Sequence, residues 1–273
     1  MDVHSFSQQI ILVRGGGDLA SGVVLRLHRA GFRVIVAELA YPLVVRRKAS
    51  FAQAIFEGTY QLEEVMAKRV EHSEQVQAVL DSGYVAVIVD PSVDLRKTIP
   101  LLAIVDARMT KCAPDLGIDA APITIGLGPG FEAGVNCTAV VETNRGPFLG
   151  RVYWQGRAEP NTGIPESVRG FNVERVLYAP CEGVLIAHKE IGDLVEENEV
   201  IAEIAGEPVR AKFKGILRGL IQSGMKVTQG LKIGDLDPRC DGRYYALASD
   251  KALAIGGGVL EALLVAWRKQ GEK

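Results

Sequence analysis

The sequence predicts an α/β protein: a Rossmann-like parallel sheet in the N-terminal part, a β-rich middle, and a small all-β module near the C-terminus. Three observations predict it. Within the first forty residues a strand-type run meets a glycine turn, a helical stretch and a second strand. Apolar strands and helical stretches then alternate as far as residue 121, and an internal repeat with a 32-residue offset fills the region from Ala179 to Leu236. Repetition at a fixed period marks units that bury their apolar faces against each other.

Composition bounds what the chain can do. Its 273 residues are 48% hydrophobic and 23% charged, as expected of a globular protein and not of a disordered one. With 31 basic and 33 acidic residues the net charge is −2, far from the basic footprint of nucleic-acid binding. Met1-Asp2-Val3-His4 lacks the start of a secretion signal, and no apolar run reaches the 18 or so residues of a membrane span, so a cytoplasmic location without a membrane partner is expected. Cys112, Cys137, Cys181 and Cys240 are far apart, as are His4, His28, His72 and His188. That spacing favours reduced thiols and argues against a disulfide framework or a metal site.

Ile10 to Arg14 reads as a buried strand, and Gly15-Gly16-Gly17-Asp18-Leu19-Ala20 fits G-x-G-x-x-A. Residues 20–30 have helical periodicity, and Arg33 to Ala37 forms a second strand ending on Glu38. In this order glycines let the backbone approach a pyrophosphate, the helix N-terminus faces the anion, and the acid accepts from a ribose hydroxyl. Gly15, Gly17, Asp18, Ala20 and Glu38 are therefore candidate residues for a nucleotide-type ligand. The alternative is that the glycines serve only tight strand-to-helix packing. Gly17 to Gly22 also has P-loop spacing, but Val23 and Val24 stand where Lys and Ser/Thr are required, which excludes a Walker A site.

Helical stretches at 49–57 and 73–80 alternate with strands at 84–89 and 101–105, which points to a parallel sheet. Asp90 follows the first of these strands, and Asp106-Ala107-Arg108 the second, where ligands of such sheets bind. Asp106 and Arg108 join the candidates. Arg46-Arg47-Lys48 and Lys111 are either extra phosphate contacts or solvated charge. The middle, 122–175, is a β-rich connecting segment: Ile123-Thr124-Ile125 enters a loop containing Gly126, Gly128, Gly130 and Gly134. Gly128 and Gly130 offer either an anion nest or a wide connection between strands. Residues 137–142 and 148–154 read as a hairpin turning at Asn144-Arg145-Gly146, with Cys137 an inert buried thiol.

In the module at 176–239, Ala179-Pro180-Cys181-Glu182-Gly183-Val184-Leu185 recurs as Ala211-Lys212-Phe213-Lys214-Gly215-Ile216-Leu217. The same offset relates Gly192 to Gly224, Val195 to Val227, Ile201 to Ile233 and Ile204 to Leu236. This resembles the biotinyl/lipoyl barrel-sandwich hybrid. Carrier members bear a lysine on the hairpin between the halves, but residues 203–209 contain none, so the resemblance implies no lipoyl or biotin and a docking role. Residues 240–273 return to helix. Ser249 is the expected cap, and Gly256-Gly257-Gly258 mark either a helix start that could bind an anion or a close neighbour.

Across nearly its whole length the chain resembles the YqeB-type accessory proteins of selenium-dependent molybdenum hydroxylase systems. The segments that carry this are Val13-Arg14-Gly15-Gly16-Gly17-Asp18-Leu19-Ala20-Ser21-Gly22, Arg26-Leu27-His28-Arg29-Ala30-Gly31-Phe32, Val105-Asp106-Ala107-Arg108, and Gly126-Leu127-Gly128-Pro129-Gly130-Phe131. Glu142-Thr143-Asn144-Arg145-Gly146, Asp235-Leu236-Asp237-Pro238-Arg239 and the stretch from Ser249 to Gly258 complete the set. Gly16 stands where the family often has alanine. The resemblance implies a maturation factor whose partner is a molybdenum hydroxylase and whose expected ligand is the molybdopterin dinucleotide cofactor. It names no catalytic residue. NAD(P), and with it an oxidoreductase, fits the same glycine loop, and a scaffold with a vestigial site is the third reading. A homo-oligomer stays open.

Overall fold

The computed structural model describes residues 3–160, 170 and 173–272. Met1, Asp2 and parts of the expected middle segment (161–169, 171 and 172) lie outside them. The described residues form a mixed α/β structure of two compact units, one from 3–40, 51–160 and 248–272, the other from 41–50, 170 and 173–247.

The first unit is built on one nine-stranded sheet. Strand β1 (Ile10–Arg14) leads through the helix α1 (Asp18–Arg29) to β2 (Arg33–Glu38), close to the boundaries that the periodicity predicts. After the short α2 (Ala54–Glu57) come a hairpin of β3 (Thr59–Leu62) and β4 (Val65–Val70), α3 (Val76–Asp81) and β5 (Val85–Val89). Then follow β6 (Ala103–Asp106), β7 (Ile123–Leu127), β8 (Ala139–Val141) and β9 (Val152–Tyr153). The order is β3-β4-β5-β2-β1-β6-β7-β8-β9. All strands from β4 to β8 pair in parallel, while β3 and β9 close the two edges antiparallel.

Alternation along β1 shows how the sheet is covered. Ile11 and Val13 enter a core shared with α1 and the C-terminal helix α4 (Asp250–Gly271), while Ile10 and Leu12 enter the opposite core with Val76, Val79 and Leu80 of α3. Successive strand residues face opposite sides, so a strand buried on both reads as continuously apolar. The expected helix at 49–57 is mostly broken into 3-10 turns, with only α2 continuous. Residues 41–50 belong to the second unit, because Arg46 and Arg47 are buried there. Arg46 donates to the carbonyls of Tyr244 and Leu247, and Arg47 to that of Leu220. These arginines are thus not a solvated face but tethers that satisfy loop and strand carbonyls.

Two further differences from the sequence reading have plain causes. Strands β7, β8 and β9 extend the same sheet as β1, so 122–160 belongs to the first unit and 170 and 173–175 to the second. The three glycines do not start a helix: α4 begins at Asp250, with the Ser249 hydroxyl accepting from Ala252 N at 3.1 Å. They sit inside it, Gly256 where α4 crosses α1 at backbone contact, Gly258 against the Gly150 carbonyl, and Gly257 with open space around it. A Cβ on Gly256 would lie 2.4 Å from the Gly22 carbonyl oxygen, and one on Gly22 would lie 2.3 Å from that of Ala252. No helix among the described residues is long and apolar enough to cross a membrane.

The second unit contains β10 (Val176–Tyr178), β11 (Gly183–Ala187), β12 (Leu194–Val195), β13 (Val200–Ile204), β14 (Glu207–Arg210), β15 (Gly215–Leu220), β16 (Lys226–Val227) and β17 (Lys232–Asp237). They form two four-stranded antiparallel sheets, β10-β17-β15-β12 and β14-β13-β11-β16. A shift of 32 residues carries each strand of one sheet onto the equivalent strand of the other. The repeat partners Leu185 and Leu217, Val195 and Val227, Ile201 and Ile233, and Ile204 and Leu236 are all buried. The β13–β14 hairpin turns at Ala205 (φ +50°) and Gly206 (φ +88°), the left-handed pair a two-residue turn of this hand needs. The Asp235–Arg239 motif is an ion network: Asp235 meets Arg175 and Arg218 at 3.2 Å each, and Asp237 meets Arg239 at 2.5 Å.

Candidate functional site

The strand order reverses at β1, with β2 and β5 on one side and β6 and β7 on the other. Connections therefore leave β1 and β6 in opposite directions, and the carboxyl ends of these two strands are the position at which parallel sheets hold ligands. Gly15 stands at the end of β1 with φ +94°, a left-handed conformation that only glycine adopts freely. A Cβ there would lie 3.6 Å from Arg108 Cγ and 3.7 Å from the Ala107 carbonyl. Gly15, Asp106 and Arg108 are thus brought together. Gly17 takes the extended N-cap position of α1, Asp18 opens the helix, and Ala20 is buried under it.

Two arginines and two aspartates interlock beyond the strand ends. Arg14, only 3% exposed, reaches Asp115 with a fork, Nη1 to Oδ1 at 2.6 Å and Nη2 to Oδ2 at 2.7 Å, while Nη2 also donates to the Pro91 carbonyl. Arg108 holds Asp106 through Nε and Nη2 at 2.9 and 2.7 Å, and its Nη2 reaches Asp115 Oδ1 at 2.7 Å. Asp106 also lies 3.5 Å from Arg14. The hydrogen bond from Arg14, helped by that from Arg108, holds the Asp115 carboxyl well below the usual carboxylate range. Arg108 is raised in turn, chiefly by Asp106.

Glu38 does something other than wait for a ribose. It is buried, and its two oxygens accept from the backbone N–H groups of Gly16 at 2.6 Å and Leu39 at 2.7 Å, so it pins the glycine turn to the end of β2. Burial pushes its pKa up, against the pull of those two N–H groups. A carboxylate oxygen can accept more than one donor, so this role leaves acceptor capacity. The Gly130 N–H is committed as well, donating to the Thr110 carbonyl at 3.0 Å, and a Cβ on Gly130 would lie 2.3 Å from the Cys112 carbonyl oxygen. Gly128 lies beside Met109. The second glycine loop therefore packs its backbone against residues 109–112, the chain that follows Arg108, and the carboxyl ends of β1, β6 and β7 share one rim.

Arg14 and Asp115 escape the sequence reading. An arginine ending an otherwise apolar strand was a usable signal for the first, whereas Asp115 sits in an unpatterned loop and is recognisable only once β6 and β7 are placed. Asp90 caps the following 3-10 turn, accepting from Asp94 N and Leu95 N. Cys137 is buried, and burial pushes its thiol up to about 11, which suits an inert residue. Lys111 is exposed. Among the described residues no cluster of three or more His, Cys, Asp or Glu is arranged to hold a metal.

Fold and site together define a mixed α/β protein whose charged and glycine motifs gather at the carboxyl rim of a parallel sheet. The chain is 44% identical over 262 residues to YqeB of Escherichia coli strain K12, which bears the description uncharacterized protein; the match covers 96% of this chain and 48% of YqeB. The similarity expected from the motifs thus extends over nearly the whole chain, which spans about half the length of that relative. No protein-family model matches. Among solved structures, an aspartoacylase family protein of Mesorhizobium loti shares 14% identity at a TM-score of 0.28, with 84% of each chain covered. The E. coli tRNA N6-threonylcarbamoyladenosine dehydratase TcdA shares 11% at 0.36, covering 99% of this chain and 91% of its own. Likenesses this slight carry no argument about chemistry.

Proposed function

We propose that this protein is an accessory factor for a molybdenum hydroxylase. It would hold a nucleotide-bearing cargo, of the molybdopterin dinucleotide class, at the β1–β6 rim and present it to the apo-hydroxylase. One observation carries the reading: a glycine turn, a pair of arginines and an acid-pinned second strand converge where the strand order reverses. In this reading the first unit is a Rossmann-type sheet. The second is an unmodified barrel-sandwich module that docks the partner. The two guanidiniums suit a diphosphate, since their planar forks match phosphate oxygens. Glu38 at the end of β2 would equally serve a nicotinamide dinucleotide, which keeps an oxidoreductase as the second reading.

Native mass spectrometry of protein purified from a host that makes molybdenum cofactor is the direct test. A bound pterin dinucleotide is expected; a nicotinamide dinucleotide would promote the second reading, and protein without any nucleotide would overturn both. In cells, deletion should leave the hydroxylase polypeptide at normal abundance with low activity, and full activity in the deletion strain would refute the accessory role.

Gly17→Val supplies a local check. The Gly17 backbone, at φ −70° and ψ −174°, imposes no backbone strain on valine, and a thermal melt of the variant checks that the fold survives. A branched side chain would nevertheless stand where a phosphate must approach the helix start. Nucleotide affinity by calorimetry should fall at least tenfold, and an unchanged affinity would remove the glycine turn from the site.

A further inference from the structure

We propose that Arg14 and Arg108 form the diphosphate seat of the site, and that Asp115 is the internal carboxylate that fills this seat until the ligand displaces it. The proposal rests on the nucleotide reading above and names the part of the ligand that is recognised. Its starting point is a mismatch in burial. Arg14 is almost wholly buried, yet the carboxylate that accepts its fork has a side chain 58% exposed, on the loop between β6 and β7. Asp106 already supplies a fixed, buried counter-charge at the same place, 3.5 Å from Arg14 and 2.7 Å from Arg108. With Asp115 in place the four side chains sum to zero charge. With Asp115 withdrawn they carry one net positive charge, and three donors that now point at its oxygens, two from Arg14 and one from Arg108, face whatever replaces them.

The ligand class follows from the donors. A carboxylate presents two oxygens to this fork, and a phosphate presents the same pair with more negative charge and further oxygens for Arg108. Gly15, beside Arg108, has no side chain to block that approach. The neighbouring start of α1 is a weaker seat, because Asp18 already places a carboxylate in its first turn. The arginine pair is therefore the cationic end of the rim, and Asp115 occupies it as a tethered competitor. Such a competitor lowers apparent affinity by the fraction of molecules in which the seat is filled.

The probe is inorganic pyrophosphate, titrated by calorimetry into the full chain. Asp115→Asn should bind it about tenfold more tightly than wild type, as expected when a competing occupant is removed, and adding Arg14→Gln to that variant should abolish the gain. A second measurement needs no variant. Displacement of Asp115 frees its loop, so pyrophosphate should accelerate tryptic cleavage of the wild-type chain after the exposed Lys111. Equal or weaker binding by a folded Asp115→Asn overturns the proposal, as does cleavage at Lys111 that pyrophosphate leaves unchanged. Failure here is distinguishable from failure of the functional reading. Tighter binding by Asp115→Asn in a protein that carries no nucleotide from its host would keep the seat and discard the nucleotide. A bound dinucleotide with no such gain would do the reverse.

Discussion

Gly256→Ala should cost about 3 kcal/mol or more of folding free energy, at the top of the range for overpacked sites. The new methyl group meets the Gly22 carbonyl oxygen at 2.4 Å, and backbone on a packed helix cannot swing aside as a side-chain end can. Helices α1 and α4 would have to separate along the face that buries Val23, Leu27, Ile255 and Val259. The neighbouring Gly257 is the control. Nothing lies within 4 Å of the Cβ it would carry, so Gly257→Ala should stabilise by about 0.5 to 1 kcal/mol, the ordinary helix preference for alanine. Urea unfolding of the two variants decides the matter, since opposite signs follow if Gly256 serves the crossing and Gly257 does not. Equal responses would show that α4 does not touch α1 there.

The second large effect is expected at Glu142, at the end of β8, which is 1% exposed. Its Oε1 accepts from the N–H groups of Thr143 and Asn144 at 2.8 and 2.7 Å, and its Oε2 from that of Glu159 at 2.8 Å. Glu142→Ala leaves three backbone donors without their acceptor, that of Thr143 buried and those of Asn144 and Glu159 partly so. At about 1 to 3 kcal/mol for a buried unsatisfied group, and less for the two that water can reach, a loss of about 2 to 3 kcal/mol follows. Glu142→Gln keeps one acceptor oxygen and should fall between wild type and alanine. Hydrogen exchange should report the same order, with the Thr143, Asn144 and Glu159 amides losing protection first. Protection retained in Glu142→Ala would mean that the loop is held by other contacts.

Glu142 also shows which parts of this molecule were legible in its sequence. It lies in a motif singled out for resemblance, but no pattern of residue types announces that a carboxylate will organise backbone N–H groups 17 residues away. The strand–glycine–helix–strand opening was legible because its periodicity changes sharply at Gly15 and again at Gly31, and local geometry follows period. The duplicated module was legible because the 32-residue offset repeats apolar positions whatever their partners. The β3–β4 hairpin was not: Thr59 to Val70 mixes charged and apolar residues without clear alternation, and its place beside β5 is a tertiary fact. Arg46 and Arg47 misled for a related reason. A run of charge usually faces water, and the carbonyls of Leu220, Tyr244 and Leu247, distant in sequence, help make burial of both side chains affordable. In the candidate site, Gly15, Asp106 and Arg108 were readable from strand ends, and Asp115 was invisible for want of any local signature.

The strand order of the second unit has a consequence for how such a module can arise and be divided. Each of its sheets has two inner strands from one repeat and two outer strands from the other: β17 and β15 lie between β10 and β12, and β13 and β11 between β14 and β16. The repeats are interlaced, not stacked. A single copy could complete neither sheet, and would leave its inner pair with two bare edges. The shortest self-sufficient form is therefore two copies, whether fused in one chain, as here, or as two separate chains exchanging their outer strands. A cut between β13 and β14 would sever no sheet cleanly, so an ancestor of this module half its size would have been an obligate dimer, and joining the two genes would have made permanent a pairing that already existed.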